Sequence, residues 1–358
     1  MRYHFELAGI RICADIPFEL HMQEESKEFA GPWSHGGREA SGEASPVDSI
    51  HIYLELKPVD QLPLIHEQGH WAGCHCYQTE DENSLIFYSI EQGGAPYACA
   101  RWNGEGTLCE CLYLKGKEYC LNYSRNIWDI LGMEDILLRH SGLLLHSSFI
   151  RCQGKAVLFS APCGTGKSTQ AELWEKYEGA DIINGDRAGL RRLGCGWAAF
   201  GLPYAGSSGI YRNESAPLAA VILLRQAKEN RLRKLKALEA FPDLYREITV
   251  HRWDRNFVSE STELLLQLLQ EIPVYLLECR PDQEAVQLVR DEIFGGNPEY
   301  VTFRTKAVKT EVSKTETVET KKYQKGRKNY DTDTCRAARD RISVSESDKT
   351  ENSPGRDV

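Results

Sequence analysis

Residues 161–168 read Ala161-Pro-Cys-Gly-Thr-Gly-Lys-Ser168, inside the stretch GKAVLFSAPCGTGKSTQAELWEKYEGADIINGDR that spans residues 154–187. The octet follows the phosphate-binding loop pattern, with Ala161 in place of the usual first glycine. Its context agrees. The apolar run 156–159 predicts a strand that delivers the loop, and residues 168–177 predict a helix that leaves it. In that helix Ala171, Leu173 and Trp174 share one side, Glu172, Glu175 and Lys176 are more exposed, and Gly179 supplies a stop. The expected nucleotide contacts are Ala161, Cys163, Gly164, Thr165, Gly166, Lys167, Ser168 and Thr169. Unpaired N–H groups at the helix start, together with the helix dipole, favour an anion there. Lys167 adds a full positive charge against terminal phosphates, and Ser168 offers a hydroxyl to Mg²⁺.

Working outward, residues 181–186 predict a strand that ends in the carboxylate of Asp186, well placed for the same Mg²⁺. The alternative is a turn-former ahead of Arg187. Upstream, residues 142–150 read as a buried strand carrying His146, and the turn at 151–154 brings the chain back into the loop. His146 is therefore expected beside the loop, either assisting a proton or a phosphate or packed as a core histidine. Downstream, residues 201–213 are long, polar and glycine-containing. Tyr204, Gly206, Ser207, Ser208, Arg212 and Asn213 are its candidates for seating an acceptor, against the alternative of a plain surface loop.

The whole chain sets bounds on this reading. Its 358 residues, 41% of them hydrophobic, suggest two domains, or one large domain with appendages, and suffice for a sizeable core. A formal net charge of −9 argues against a mainly electrostatic nucleic-acid binder. The start lacks an apolar signal core, and no run approaches the ~20 apolar residues that span a bilayer, so a cytoplasmic protein without a membrane partner is expected. Twelve cysteines in such a chain read as reduced thiols. Cys74, Cys76, Cys109 and Cys111 form two alternating pairs that could gather four sulfurs, although a buried face of small residues shows the same alternation.

Taken in order, residues 3–7 and 10–16 predict two strands joined by Ala8-Gly9, and residues 24–47 a loop. Strands follow near 50–54, 70–77, 84–90, 97–102 and 108–114, which together predict a small antiparallel β-domain over residues 1–127. Its histidines, His51, His66, His70 and His75, are not spaced as a ligand set. Residues 128–138 carry apolar positions at helical spacing and open an α/β domain that extends to 299. In it, 190–200 predicts a hairpin, 219–224 a strand, and 225–236 a solvated turn and strand. Residues 235–245 predict a helix broken by Pro242, and 261–271 a further helix. The strand 274–278 and the helix 282–294 complete the domain. From about residue 300 the composition is polar and charged with scarcely any apolar residue, so 300–358 is expected to be a disordered tail.

The order His146-Ser, then 161–169, then Asn184-Gly-Asp-Arg187, then Gly201-Leu-Pro-Tyr-Ala-Gly-Ser-Ser208 resembles the HPr kinase-like group. Within it, the closest likeness is to kinases encoded beside ribosomally made, modified peptides, including lasso peptide kinases. The likeness covers about residues 130–295 and, more loosely, the β-rich start. It implies a phosphoenolpyruvate carboxykinase-like fold around the loop, ATP with Mg²⁺, and phosphoryl transfer to a serine hydroxyl of a protein or peptide such as a lasso precursor. Assembly beyond a monomer is also implied. Asp186 would serve the metal, the hydroxyl proton or both, with His146 and Lys167 beside it. HPr kinases carry two adjacent aspartates at this strand end. Here the pair is Gly185-Asp186, which weakens the carry-over of HPr as substrate and of the reverse, dephosphorylating reaction.

Overall fold

The β-rich start and the loop-bearing half fold into two sheets of eight strands each. The computed structural model describes residues 1–31, 50–63, 95–204 and 206–295, with the backbone of three further strands between 66 and 89. The expected tail at 300–358 lies outside the described residues.

In the first sheet, β1 (Arg2–Leu7) and β2 (Ile10–Asp15) form a hairpin whose two turn residues, Ala8 and Gly9, both have positive φ. Such a turn matches the twist of its strands. The strands β3 (Ile50–Val59), β4 (His66–Trp71), β5 (Cys74–Gln78), β6 (Ser84–Ser89), β7 (Pro96–Trp102) and β8 (Leu108–Leu114) complete the order β1-β2-β3-β8-β7-β6-β5-β4. The sheet is not purely antiparallel as expected, because β3 runs parallel to both β2 and β8. Parallel neighbours need a long crossover, and residues 16–49 and 60–107 supply two. The strand expected over 70–77 is instead parts of two paired antiparallel strands, β4 and β5. A one-turn helix, α1 (Glu24–Lys27), interrupts the stretch 24–47 read as a loop, of which 32–47 lies outside the described residues.

Alternation along these strands buries Ile10, Ile12, Ala14, Ile52, Leu54 and Leu56 on one face. The helices α2 (Ser124–Leu131) and α3 (Met133–Arg139) cover that face. Trp128 is fully buried edge-on to Phe5 at 4.6 Å, and its ring N–H donates to Ser26 Oγ at 2.9 Å. The single helix expected over 128–138 is two, because Gly132 takes a left-handed conformation that ends α2 and opens α3. The same core takes in Leu144 and Leu202 from the second half, and Met1–Gly295 is one compact unit.

The second sheet contains β9 (Gly142–Cys152), β10 (Lys155–Ser160), β11 (Asp181–Asn184), β12 (Arg187–Leu193), β13 (Gly196–Gly201), β14 (Ser215–Gln226), β15 (Arg231–Lys234) and β16 (Val274–Cys279). β9 and β14 are long enough to serve three partners each, β9 also taking β11 alongside residues 149–151. β9 pairs with β12 through residues 142–146 and with β10 through 147–152. β14 pairs with β13 through 215–217 and then runs parallel to β10 and β16. The path β10-β9-β12-β13-β14 therefore closes on itself.

Helix α4 (Lys167–Glu178) packs on one side of this sheet. There Trp174 is fully buried between Phe159, at 6.1 Å, and Phe294 of α7 (Gln283–Phe294), at 6.3 Å. The core on the other side takes up α5 (Ala237–Glu247) and α6 (Arg255–Glu271). Contrary to expectation, α5 runs unbroken through Pro242. The N–H that proline lacks would have bonded the carbonyl of Leu238, four residues earlier in the first helical turn, where an 84% exposed side chain leaves water free to take its place.

Candidate active site

β10 ends at Ser160, whose hydroxyl donates to the His146 carbonyl at 2.9 Å and ties the loop to β9. Gly164 and Gly166 both have positive φ, 77° and 116°, which lets the loop turn its backbone inward before α4 begins. Thr165 N–H closes the turn onto Pro162 O at 3.2 Å, and Gln226 at the end of β14 donates to Gly164 O and Thr165 O at 3.5 and 3.4 Å. Lys167 is buried, with its Nζ donating to Ala161 O at 2.9 Å. Burial pushes its pKa down, while the nearby Glu247, Cys163 and Asp186 act the other way. Cys163 and Thr169 are exposed and Ser168 is half-buried.

Asp186 is set by the side chain of Asn184. That amide is completely buried. Its oxygen accepts the N–H groups of Asp186 and Arg187, both at 2.9 Å, and its NH₂ donates to Leu202 O at 2.8 Å. Asn184 thus folds the break between β11 and β12 into a side-chain-locked turn. Ser147 N–H donates to Asp186 O at 2.9 Å, which seats the break opposite β9. The Asp186 carboxylate faces His146 Nε2 at 3.7 Å and Arg187 Nε at 3.8 Å. His146 Nδ1 lies 2.7 Å from Glu247 Oε2, so Glu247, His146 and Asp186 form a chain across three elements. The residue above them is Gly206, in the short helical turn 206–208. A Cβ there would lie 2.6 Å from Asp186 Cβ and 3.0 Å from its Oδ1.

Of the residues expected in the acceptor loop, Gly206 touches Asp186, Ser207 is exposed beside it, and Ser208 Oγ accepts from Ile210 N–H at 3.2 Å. The other three are engaged elsewhere. Tyr204 lies under the Arg187 guanidinium at 5.7 Å and packs against the first core. Arg212 pairs with Asp181 and Glu214 at 3.8 and 4.0 Å. Asn213 donates to the carbonyls of Glu6 and Glu28 at 3.3 and 3.4 Å. Two contributors were given no role from the sequence, Asn184 and Glu247. Asn184 was quoted only as the start of the Asn184-Gly-Asp-Arg187 stretch. Glu247 lies past the predicted helix end at residue 245, whereas α5 runs on to include it.

The donor set suits the groups expected here. An open glycine loop, a helix N-terminus and a buried lysine bonded only within its own loop fit a polyphosphate, and the hard oxygens of Ser168 and Asp186 fit Mg²⁺. Among the described residues no group of three or more His, Cys, Asp or Glu forms a metal cage. The four-cysteine arrangement does not assemble. Strands β5 and β8 are separated by β6 and β7, which puts their backbones about 14 Å apart. Burial also raises the thiol pKa of Cys109 and Cys111, against thiolate ligation. No helix among the described residues is long and apolar enough to cross a membrane.

No family model matches the chain, and no curated protein does. The Hpr(Ser) kinase/phosphatase from Coxiella burnetii is a solved structure to which it is similar, at 12% identity and a TM-score of 0.26 over 45% of this chain and 98% of that one. At that level the functional reading rests on the residues of the site themselves.

Proposed function

We propose that this chain is an ATP- and Mg²⁺-dependent phosphotransferase that moves a phosphoryl group to a serine hydroxyl of a peptide or protein, with a lasso peptide precursor as the acceptor class. One observation carries the reading: the phosphate loop that leads into Lys167 at the head of α4 is tied through the Ser160 hydroxyl to the His146 carbonyl, and the ring of that same His146 faces Asp186 at 3.7 Å.

Lys167 and the N–H groups of the loop bind and orient the phosphates. Ser168 and Asp186 would hold Mg²⁺, which when bound would neutralise charge spread over the phosphate oxygens. The acceptor oxygen bonds to phosphorus as the bond from phosphorus to the bridging oxygen breaks, and that electron pair leaves with ADP. The hydroxyl proton passes to Asp186 or to His146 Nε2, which lies 3.7 Å from it and is oriented through Nδ1 by Glu247. The exposed turn 206–208 offers the acceptor a seat next to Asp186. Positioning and charge neutralisation supply most of the catalysis.

The test is mass spectrometry of candidate precursor peptides co-expressed with the chain, alongside labelled ATP offered with peptides and small hydroxylated metabolites. Added phosphate on a peptide serine supports the reading. Label found only on small molecules would replace it with a metabolite kinase. Gly185 in place of a second carboxylate favours one other reading, an ATP-binding scaffold for peptide-modifying enzymes. Binding of a precursor without any transfer would select it.

A further inference from the structure

The second sheet ends in an edge that no other strand of the described residues covers. β15 is last in the path and pairs only with β16, antiparallel, with Arg231 opposite Glu278 and Lys234 opposite Tyr275. Leu235 N–H donates to Val274 O at 2.8 Å in the same register. Bonded residues alternate along an antiparallel pair, so Arg231, Arg233 and Leu235 turn their N–H and C=O groups toward β16, and Leu232 and Lys234 turn theirs outward. The edge thus presents the backbone donors and acceptors of Leu232 and Lys234 to a further strand.

A cleft flanks this edge on each face of the sheet. One of about 240 Å³ lies between Leu232, Tyr275 and Leu288 of α7, and one of about 190 Å³ lies between Leu235, Ile272 and Pro273. Leu232 packs against the core under α7 and Leu235 against the core under α6, which puts the clefts on opposite faces. Both are smaller than the roughly 300 Å³ at which small-molecule sites begin, so each suits a side chain rather than a whole ligand. A strand added at the edge sends successive side chains to opposite faces, and so into the two clefts in turn. The charge selects that strand. Residues 225–236 carry six cations against Glu229, in a chain whose net charge is −9. Arg225, Arg231 and Arg233 pair with Glu278, Glu229 and Glu239, whereas the exposed Lys228, Lys234 and Lys236 have no carboxylate partner among the described residues. The carboxylates of the clefts, Glu292 and Glu271, are taken by the Tyr275 hydroxyl and by Arg192. A second copy of this edge would set lysine against lysine, while an acidic strand would complete the pairs.

We propose that the β15 edge docks an acidic peptide segment as an added strand, with its backbone bonded to Leu232 and Lys234 and its side chains seated in the two clefts. The proposal stands apart from the phosphotransferase reading, and its test needs no transfer. The probe is a fluorescein-labelled peptide of glutamate, valine and leucine, followed by fluorescence anisotropy with the full chain at low salt. Three comparison probes accompany it: the same peptide with lysine for glutamate, the acidic peptide N-methylated along its backbone, and a single-stranded oligonucleotide. The acidic peptide is expected to bind about tenfold more tightly than each of them. Lys234→Gln should weaken it about threefold, the loss of a rim charge. Lys234→Pro should weaken it about tenfold or more, because proline also removes an outward N–H while leaving the bonds to β16 in place. The N-methylated probe reads the same hydrogen bonds on the wild type, should the proline variant fail to fold. Equal binding of that probe would reduce the contact to charge and overturn the added strand. Equal binding of the lysine peptide would overturn the acidic partner, and tighter binding of the oligonucleotide would replace the peptide with nucleic acid. Binding of no peptide, or a dimer in light scattering that Lys234→Pro dissociates, would remove the docking site altogether.

Discussion

The two halves of the site are built in opposite ways. The phosphate side, β10, loop and α4, is one contiguous piece of chain, and its lysine is held by the loop's own carbonyl at 2.9 Å. The Asp186 side draws on β9, the β11–β12 break, the turn 206–208 and the end of α5, so its four contributors are up to 101 residues apart. A contiguous motif is organised by local backbone geometry, whereas a dispersed one exists only after the sheet and α5 have packed. The first should therefore bind without the second, and the second should fail by displacement.

The largest expected effects come from cutting each half at its charge. Lys167→Met should lower both nucleotide affinity and transfer, with transfer falling about a thousandfold as a cation aimed at developing charge is lost. Asp186→Ala should abolish transfer to a similar extent and retain nucleotide binding. Calorimetry beside steady-state transfer separates the two. Equal loss of ATP affinity in both variants would erase the distinction between the halves.

Next in size is Asn184→Ala. It leaves two N–H groups and the Leu202 carbonyl without their buried partner and should cost about 2–4 kcal/mol in denaturant unfolding. Gly206→Ala comes third. Its Cβ would meet Asp186 at 2.6 Å, at a φ of +55° that L side chains rarely adopt, so kcat should fall about tenfold with the affinity for ATP unchanged. A Gly206→Ala enzyme with full kcat would mean that Asp186 has room to move and that the turn does not position it.

What was legible follows the same division. The loop, the helix from Lys167 to Glu178 and its Gly179 stop could be read because period, glycine placement and capping are local signals. The hairpin at Ala8-Gly9 was legible for the same reason. The parallel placement of β3 was not, since nothing in its own ten residues says which strand returns beside it. Pro242 misled because the cost of a missing N–H depends on where its carbonyl partner lies, here in a solvent-exposed first turn. Glu247 was missed because the predicted helix stopped at residue 245, two short of the end of α5. Arg212 and Asn213 show the reverse situation: polar residues in a promising loop whose ion pairs and hydrogen bonds, respectively, go to the fold.

The smallest expected effect tests the support beneath the Asp186 side. His251 is buried between Glu134, 3.1 Å from its Nε2, and Asp135, 3.6 Å from its Nδ1, with its ring stacked on Trp253 and Phe257. Burial alone would lower its pKa, but the Glu134 hydrogen bond and the charges of Asp135, Glu134 and Asp254 raise it above the usual 6.5. A raised cation contributes stability that is fully present below the unfolded value and is lost as pH climbs through the folded one. Asp135, whose burial lifts it to about 6, changes charge below that window, and Glu134, held low by the His251 contact against its burial, titrates lower still. Above about pH 6.5 the histidine is therefore the group of this cluster that responds. The melting temperature should fall as pH rises above about 6.5 in the wild type and fall less in His251→Gln, measured by scanning calorimetry at matched ionic strength. Parallel curves for the two proteins would mean that the Glu134–His251 contact holds α3 in place without a charge on the ring.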